Sequence, residues 1–155
     1  MLVQPILSLI TRMIPEAFLV MFSIYLLTNT KMDMKKIIIS GIIGGIGVYV
    51  IRLLPIHFGV HTILAVMMYI FLAVKLNKIE IYKAIAITLV SQIILFISDF
   101  TFVLIYTKIF RLSSEAIFGH VWVAAVAGIP PLFLYYFVIR LIAYFKNKKV
   151  NNEQH

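Results

Sequence analysis

The chain has 155 residues, of which 63% are hydrophobic and only 13% are charged. Soluble domains carry roughly a quarter charged residues, so this composition excludes an ordinary soluble fold and favours an integral membrane protein. Cysteine is absent, which excludes disulfides, thiolate metal sites and thiol nucleophiles. The net charge of +8 would suit nucleic acid in a soluble protein. In a membrane protein it reflects basic cytoplasmic loops, and no nucleic-acid partner is expected.

Five apolar runs approach the length of a membrane-spanning helix, which needs about 20 mostly apolar residues. Their uniform apolar character favours helices over membrane β-strands, in which apolar and polar residues alternate. The sequence therefore predicts an all-α, polytopic membrane helix bundle that forms a single transmembrane domain over residues 1–145. The predicted helices cover residues 5–27, 37–54, 60–74, 84–106 and 121–144, and the third is short.

The distribution of lysine and arginine predicts the orientation of these helices. If the N-terminus is outside, ten of these residues lie on the cytoplasmic side and four on the outer side. The positive-inside rule therefore favours an N-out, C-in topology. The remaining residues 146–155, KNKKVNNEQH, are expected to form a short basic cytoplasmic tail that is disordered near anionic headgroups.

Several charged or titratable side chains lie within or beside the apolar runs, where charge is costly and needs a partner or a function. Arg12 and Glu16 are four residues apart in the first helix, so they can form an ion pair. In the N-out topology the whole group falls in the outer half of the bilayer. This convergence predicts a polar pocket open to the outside, with structural ion pairs as the alternative. The pocket residues are predicted to be Arg12, Glu16, Arg52, His57, His61 and Asp99.

The stretch RLLPIHFGVH forms the predicted outer corner between the second and third helices, with Pro55 and Gly59 as its turn residues. His57 and His61 are four residues apart, a spacing that suits a shared metal. Nothing nearby in the sequence supplies a third ligand, so no metal is assigned. A pH-responsive pair and simple hydrogen bonding at the membrane interface remain open.

Glycines and prolines mark two further features. Gly41, Gly44 and Gly45 give the second helix a face of small residues, which permits close approach of another helix. That partner is either a helix of the same bundle or a second copy in a homodimer. Pro130 and Pro131 interrupt the fifth helix and predict a kink or hinge there.

A wider pattern runs through the chain from about residue 10 to 145. It combines an acidic residue in the first helix, a lysine-rich loop, the IRLLPIHFGVHT segment and an acidic residue in the fourth helix. The matching positions are Glu16, Lys35-Lys36, Ile51-Arg52 through Thr62, Lys78-Ile79 with Lys83-Ala84, and Asp99. The pattern resembles the N-terminal multi-helix membrane sensor region of Gram-positive sensor histidine kinases of the accessory-gene-regulator C type.

The resemblance implies a small sensor or regulatory protein of the bacterial cytoplasmic membrane, in contact with the lipid bilayer. It would bind an extracellular peptide or lipophilic signal and act through another membrane subunit or a separate kinase. In that family a cytoplasmic ATP-binding kinase domain follows the membrane region, and none is recognisable here. No catalytic constellation can be placed either, so no enzymatic activity and no cofactor are expected. A transporter or channel subunit and a structural assembly protein are the alternatives.

Overall fold

The protein is described here by a computed structural model that covers residues 9–55, 58–111 and 121–152. Helices dominate these ranges and no strand occurs in them. The predicted all-α helix bundle is therefore confirmed. The elements are a π-helical turn π1 (Leu9–Met13), α1 (Ile14–Thr28), α2 (Met34–Leu53), α3 (Phe58–Lys75), α4 (Ile81–Leu104), a second π-helical turn π2 (Ile105–Ile109), α5 (Val121–Ala127) and α6 (Ile129–Asn152).

Four stretches of this structure are long and apolar enough to cross a membrane. The third helix is shorter, with an apolar stretch over Gly59–Lys75. At about 1.5 Å per residue it reaches roughly 25 Å, which is less than the hydrocarbon core of about 30 Å. Length and composition thus make this a multi-pass membrane protein, while the N-out orientation stays a prediction. The four long stretches are Ile10–Thr28, Met34–Leu53, Ile81–Ile109 and Trp122–Lys148.

The first helix lies at the centre of the bundle. Half of its spanning stretch is buried inside the protein, against 22% of the Ile81–Ile109 stretch. On one side α1 packs with α2 and α3 around Met21 and Tyr69. On the other side it packs with α4 and α6 around Leu95 and Tyr135. Two apolar clusters are therefore joined through α1.

The glycine face of α2 is covered by α1. A Cβ added to Gly45 would lie 2.8 Å from the Cα of Ile14, and one added to Gly41 would lie 3.0 Å from the Cα of Phe18. Gly44 is also buried, between α1 and α3. The three glycines therefore pack inside the bundle, which is the intramolecular alternative, and this face is not free for a homodimer.

The corner between α2 and α3 differs in part from the prediction. Leu54 leaves α2 in an extended conformation and donates its backbone N–H to the carbonyl of Ile51 at 3.2 Å. Pro55 follows as an exposed corner residue, as expected. Gly59, expected in the turn, instead lies in the first turn of α3, and a Cβ added there would meet nothing within 4 Å.

The fifth predicted helix is interrupted at Gly128, two residues before Pro130, whereas a kink or hinge at the prolines themselves stays a prediction. Gly128 separates α5 from α6, so Pro130 and Pro131 fall in the first turn of α6. A proline in that turn removes an N–H that has no partner inside the helix. The interruption at Gly128 therefore leaves the hydrogen bonds of α6 intact.

The basic end of the chain is more ordered than predicted. The expectation of disorder from residue 146 is wrong as far as Asn152, because α6 continues to that residue. Lys146 donates a hydrogen bond from Nζ to the carbonyl of Leu27. That carbonyl lies in the last turn of α1, where main-chain oxygens lack partners within the helix. The contact joins the far end of α6 to the central helix.

Candidate functional site

A cavity of about 190 Å³ lies where π1, α4, π2, α5 and the start of α6 meet. We call it the Arg12 pocket. Its walls combine one charged pair with aromatic and small side chains, so it offers both polar and apolar contacts. They include Arg12, Asp99, Phe102, Tyr106, Gly128 and Pro131.

Arg12 joins two carboxylates from different parts of the chain. Its Nη2 donates to the Oδ2 of Asp99 at 2.5 Å, and its Nε lies 3.8 Å from the Oε2 of Glu16. The Glu16 side chain is 8% exposed, whereas those of Arg12 and Asp99 are 27% and 31% exposed. The predicted Arg12–Glu16 pair is thus present, and Asp99 joins it. One guanidinium thus lies against two carboxylates.

Part of this ion-pair group has unused hydrogen-bonding capacity. The Oδ1 of Asp99 and the Nε of Arg12 are buried and have no hydrogen-bond partner among the described residues. An unsatisfied buried polar atom costs about 1–3 kcal/mol. A molecule that donates an N–H or O–H to Asp99 Oδ1 would therefore bind with a favourable contribution from this atom.

The pocket reaches the break between α5 and α6. A Cβ added to Gly128 would lie 3.3 Å from the Nη1 of Arg12. On the same side the hydroxyl of Tyr106 donates to the carbonyl of Ala127 at 3.1 Å. Both distances place the pocket walls beside Ala127 and Gly128, where α5 ends and α6 is about to begin.

Arg52 and His61, both predicted to line a pocket, do not line this one. Arg52 is exposed at the end of α2 and forms no ion pair with a described residue. The arginine that holds Asp99 is Arg12 rather than Arg52, because π1 is the segment that packs beside α4. The ring of His61 donates from Nδ1 to the carbonyl of Ile51 at 2.9 Å. His61 therefore hydrogen-bonds to the last turn of α2, while its position at the membrane interface stays a prediction.

The proposed histidine pair stays a hypothesis, since His57 lies outside the described residues. Within the ranges that the structure covers, no three histidine, aspartate or glutamate side chains are grouped as metal ligands. The one described member of the pair, His61, has its Nδ1 engaged with the main chain. Its Nε2 is the ring nitrogen left for any further interaction.

A buried hydroxyl cluster between α1, α4 and α6 was missed by sequence reasoning. Tyr135 donates to the Oγ of Ser23 at 2.9 Å, and that oxygen lies 2.7 Å from the Oγ of Ser91. All three side chains are buried. A signal was present in α4, where the buried residues Ala84, Thr88, Ser91, Leu95 and Ser98 recur at helical spacing. Hydroxyls change hydropathy too little to stand out without that spacing.

Comparison of the chain with protein-family models, curated proteins and solved structures finds no match in any of the three. The resemblance to sensor kinases therefore rests on the sequence pattern alone. A functional proposal depends on the chain's own side chains, above all those of the Arg12 pocket.

Proposed function

We propose that the protein is a small membrane sensor or regulatory module that binds an extracellular signal in the Arg12 pocket and acts through a partner. One observation carries the proposal: the Arg12–Asp99 ion pair lines a cavity that touches the break between α5 and α6. A ligand with higher affinity for one arrangement of this break would shift the population toward it. The predicted N-out topology places the pocket on the outer side of the membrane.

The size of the pocket limits what can enter. Its volume of about 190 Å³ equals roughly six water molecules at about 30 Å³ each. This is the space of one large side chain or a short hydrocarbon stem, not of a whole peptide. The signal would therefore insert a single group and leave the rest of its surface outside.

The charges and walls of the pocket indicate the chemistry of that group. Two carboxylates face one guanidinium, and Asp99 Oδ1 has no donor among the described residues. Phe102 and Tyr106 supply apolar surface nearby. The favoured group is therefore an ammonium or amide N–H at the end of a short apolar stem. A free carboxylate would meet Asp99 and is disfavoured.

The test uses hexylammonium as a probe, with hexanoate as its anionic counterpart, on the full-length protein in lipid nanodiscs. We expect saturable thermal stabilisation by hexylammonium and none by hexanoate. Asp99→Asn should abolish the stabilisation, while Arg52→Gln, a matched change outside the pocket, should preserve it. Equal responses to both probes, or an unchanged response in Asp99→Asn, would remove the pocket as a binding site.

A second measurement tests signalling. The chain has no cysteine, so spin labels can be placed at Lys83→Cys and Lys148→Cys, two exposed positions on α4 and α6. Hexylammonium should change the distance distribution between the labels, and the change should disappear with Asp99→Asn. Binding without any change in distance would leave a binding site but no sensor.

A transporter or channel subunit is the second candidate. The buried hydroxyls of Ser23, Ser91 and Tyr135 favour it, because they would supply polar contacts along a path across the bundle. Solute or proton flux in proteoliposomes that is lost in Ser23→Ala would support this candidate over the sensor. A purely structural assembly role is less favoured, because the glycine face of α2 packs against α1.

A further inference from the structure

A second cavity lies at the other end of the bundle, between the α1–α2 connection and the segment that follows α3. Its volume is about 520 Å³, which falls within the roughly 300–1,000 Å³ typical of small-molecule sites. We call it the lysine cavity. Its walls include Tyr25, Lys31, Asp33, Lys35, Lys36 and Asn77.

The buried side of the lysine cavity is held by hydrogen bonds. Tyr25 donates its hydroxyl to the Oδ1 of Asn77 at 2.9 Å, and Asn77 donates from Nδ2 to the carbonyl of Leu72 at 3.0 Å. Tyr25 is 2% exposed and Asn77 is 4% exposed. These bonds link the end of α3 to α1, so this wall is ordered without a ligand.

The open side carries positive charge that the described residues do not balance. Asp33 caps α2 by accepting the backbone N–H of Lys36 at 3.3 Å, and its Oδ2 lies 3.6 Å from the Nζ of Lys36. This carboxylate is therefore engaged by Lys36. Lys31 and Lys35 form no ion pair with any described residue. Two ammonium groups thus remain for an anion.

Apolar side chains flank these charges. Met32 is 42% exposed and Met34 is 51% exposed, and both belong to the cavity wall. A simple anion such as free phosphate would use the two lysines and leave the methionines in water. A molecule with an anionic group attached to an apolar body would use both, and a lipid at the membrane interface has this form.

We propose that the lysine cavity binds the headgroup of an anionic phospholipid, with Lys31 and Lys35 against the phosphodiester and Met32 and Met34 against the glycerol and upper acyl chains. Basic pockets between membrane helices on the cytoplasmic side are suited to such headgroups. The predicted C-in topology places the α1–α2 connection on that side. This site is independent of the Arg12 pocket and of the signal proposed there.

The test is a binding titration of the full-length protein in neutral detergent, followed by native mass spectrometry. The probes are dioctanoyl phosphatidylglycerol, dioctanoyl phosphatidylcholine and glycerol 3-phosphate. We expect phosphatidylglycerol to bind at least about tenfold more tightly than phosphatidylcholine, and glycerol 3-phosphate not to compete at equal concentration. At about 1 kcal/mol per lysine, Lys31→Gln/Lys35→Gln should weaken phosphatidylglycerol binding about 30-fold.

The matched control is Lys75→Gln/Lys78→Gln, which removes the same charge from the same end of the bundle at exposed positions outside the cavity wall. It should change the affinity less than about threefold, since those lysines contribute only to the general surface potential. Lys31→Arg/Lys35→Arg should retain binding, which separates loss of charge from loss of fold. Equal weakening by both glutamine doubles would overturn the site, and effective competition by glycerol 3-phosphate would overturn the lipid as its occupant.

Discussion

Because α1 and α2 are in close contact, Gly45→Ala should destabilise the protein. The same substitution at Gly59, away from that contact, should stabilise it. A Cβ at Gly45 would lie 2.7 Å from the Cγ1 and 2.8 Å from the Cα of Ile14. The Cα belongs to the backbone and cannot rotate away, so the two helices must separate. Overpacking of this kind costs about 1–3 kcal/mol, and the helix propensity of alanine returns at most about 1 kcal/mol. We expect Gly45→Ala to lower the free energy of unfolding by about 1–2 kcal/mol.

Gly59→Ala is the matched control. Gly59 is also helical, and a Cβ there would meet nothing within 4 Å. Alanine should therefore stabilise the protein by about 0.4–1 kcal/mol through the unfolded state. The stability of Gly41→Ala should lie between those of Gly59→Ala and Gly45→Ala, since its Cβ would lie 3.0 Å from the Cα of Phe18.

Reversible unfolding in mixed micelles, followed by circular dichroism as the fraction of dodecyl sulfate rises, measures these differences. The expected order of stability is Gly59→Ala, wild type, Gly41→Ala and Gly45→Ala. If Gly45→Ala were as stable as Gly59→Ala, α1 could not lie against the glycine face of α2. That face would then be free for a partner protein.

Three further predictions concern the ion pair, the hydroxyl cluster and the topology. Arg12→Gln leaves two carboxylates without their cation. In the same assay it should lower the free energy of unfolding by about 1–3 kcal/mol, which is less than the loss expected for a fully buried pair. It should also lower it more than Asp99→Asn does. Ser23→Ala removes two interhelical hydrogen bonds and should cost about 1 kcal/mol at roughly 0.6 each; no measurable loss would contradict that geometry. The N-out topology predicts that a membrane-impermeant maleimide labels Ile109→Cys but not Tyr82→Cys in intact cells. Both side chains are exposed in the fold. The reverse labelling pattern would show that the N-terminus is inside.

Hydropathy predicts the helices well because a backbone in lipid must satisfy its hydrogen bonds internally. It predicts their ends less well, since helices continue into polar turns. The second helix begins at Met34, three residues before the expected start, because Asp33 accepts the N–H of Lys36 and caps it. The last helix continues past the apolar run to Asn152, where lysines favour a helix as much as a disordered tail.

The candidate site could be predicted only where its residues are close in sequence. The four-residue spacing of Arg12 and Glu16 is enough to pair them on one helix. Asp99 is 87 positions from Arg12, and their contact depends on which helices are neighbours. Arg52 was predicted to line the pocket from its depth in the membrane. Depth does not determine the direction in which a side chain points around its helix.

The unbroken length of α6 has a mechanical consequence. The helix has 24 residues, so it rises about 36 Å at about 1.5 Å per residue from the Gly128 break to its far end. A tilt of only about 5° at the break would move that end by roughly 3 Å. Lys146, about 26 Å along this rise, would move by roughly 2 Å, enough to strain the hydrogen bond that its Nζ donates to the carbonyl of Leu27. A tilt at the break beside Arg12 would therefore reach the contact between α6 and α1 at the other end of the bundle.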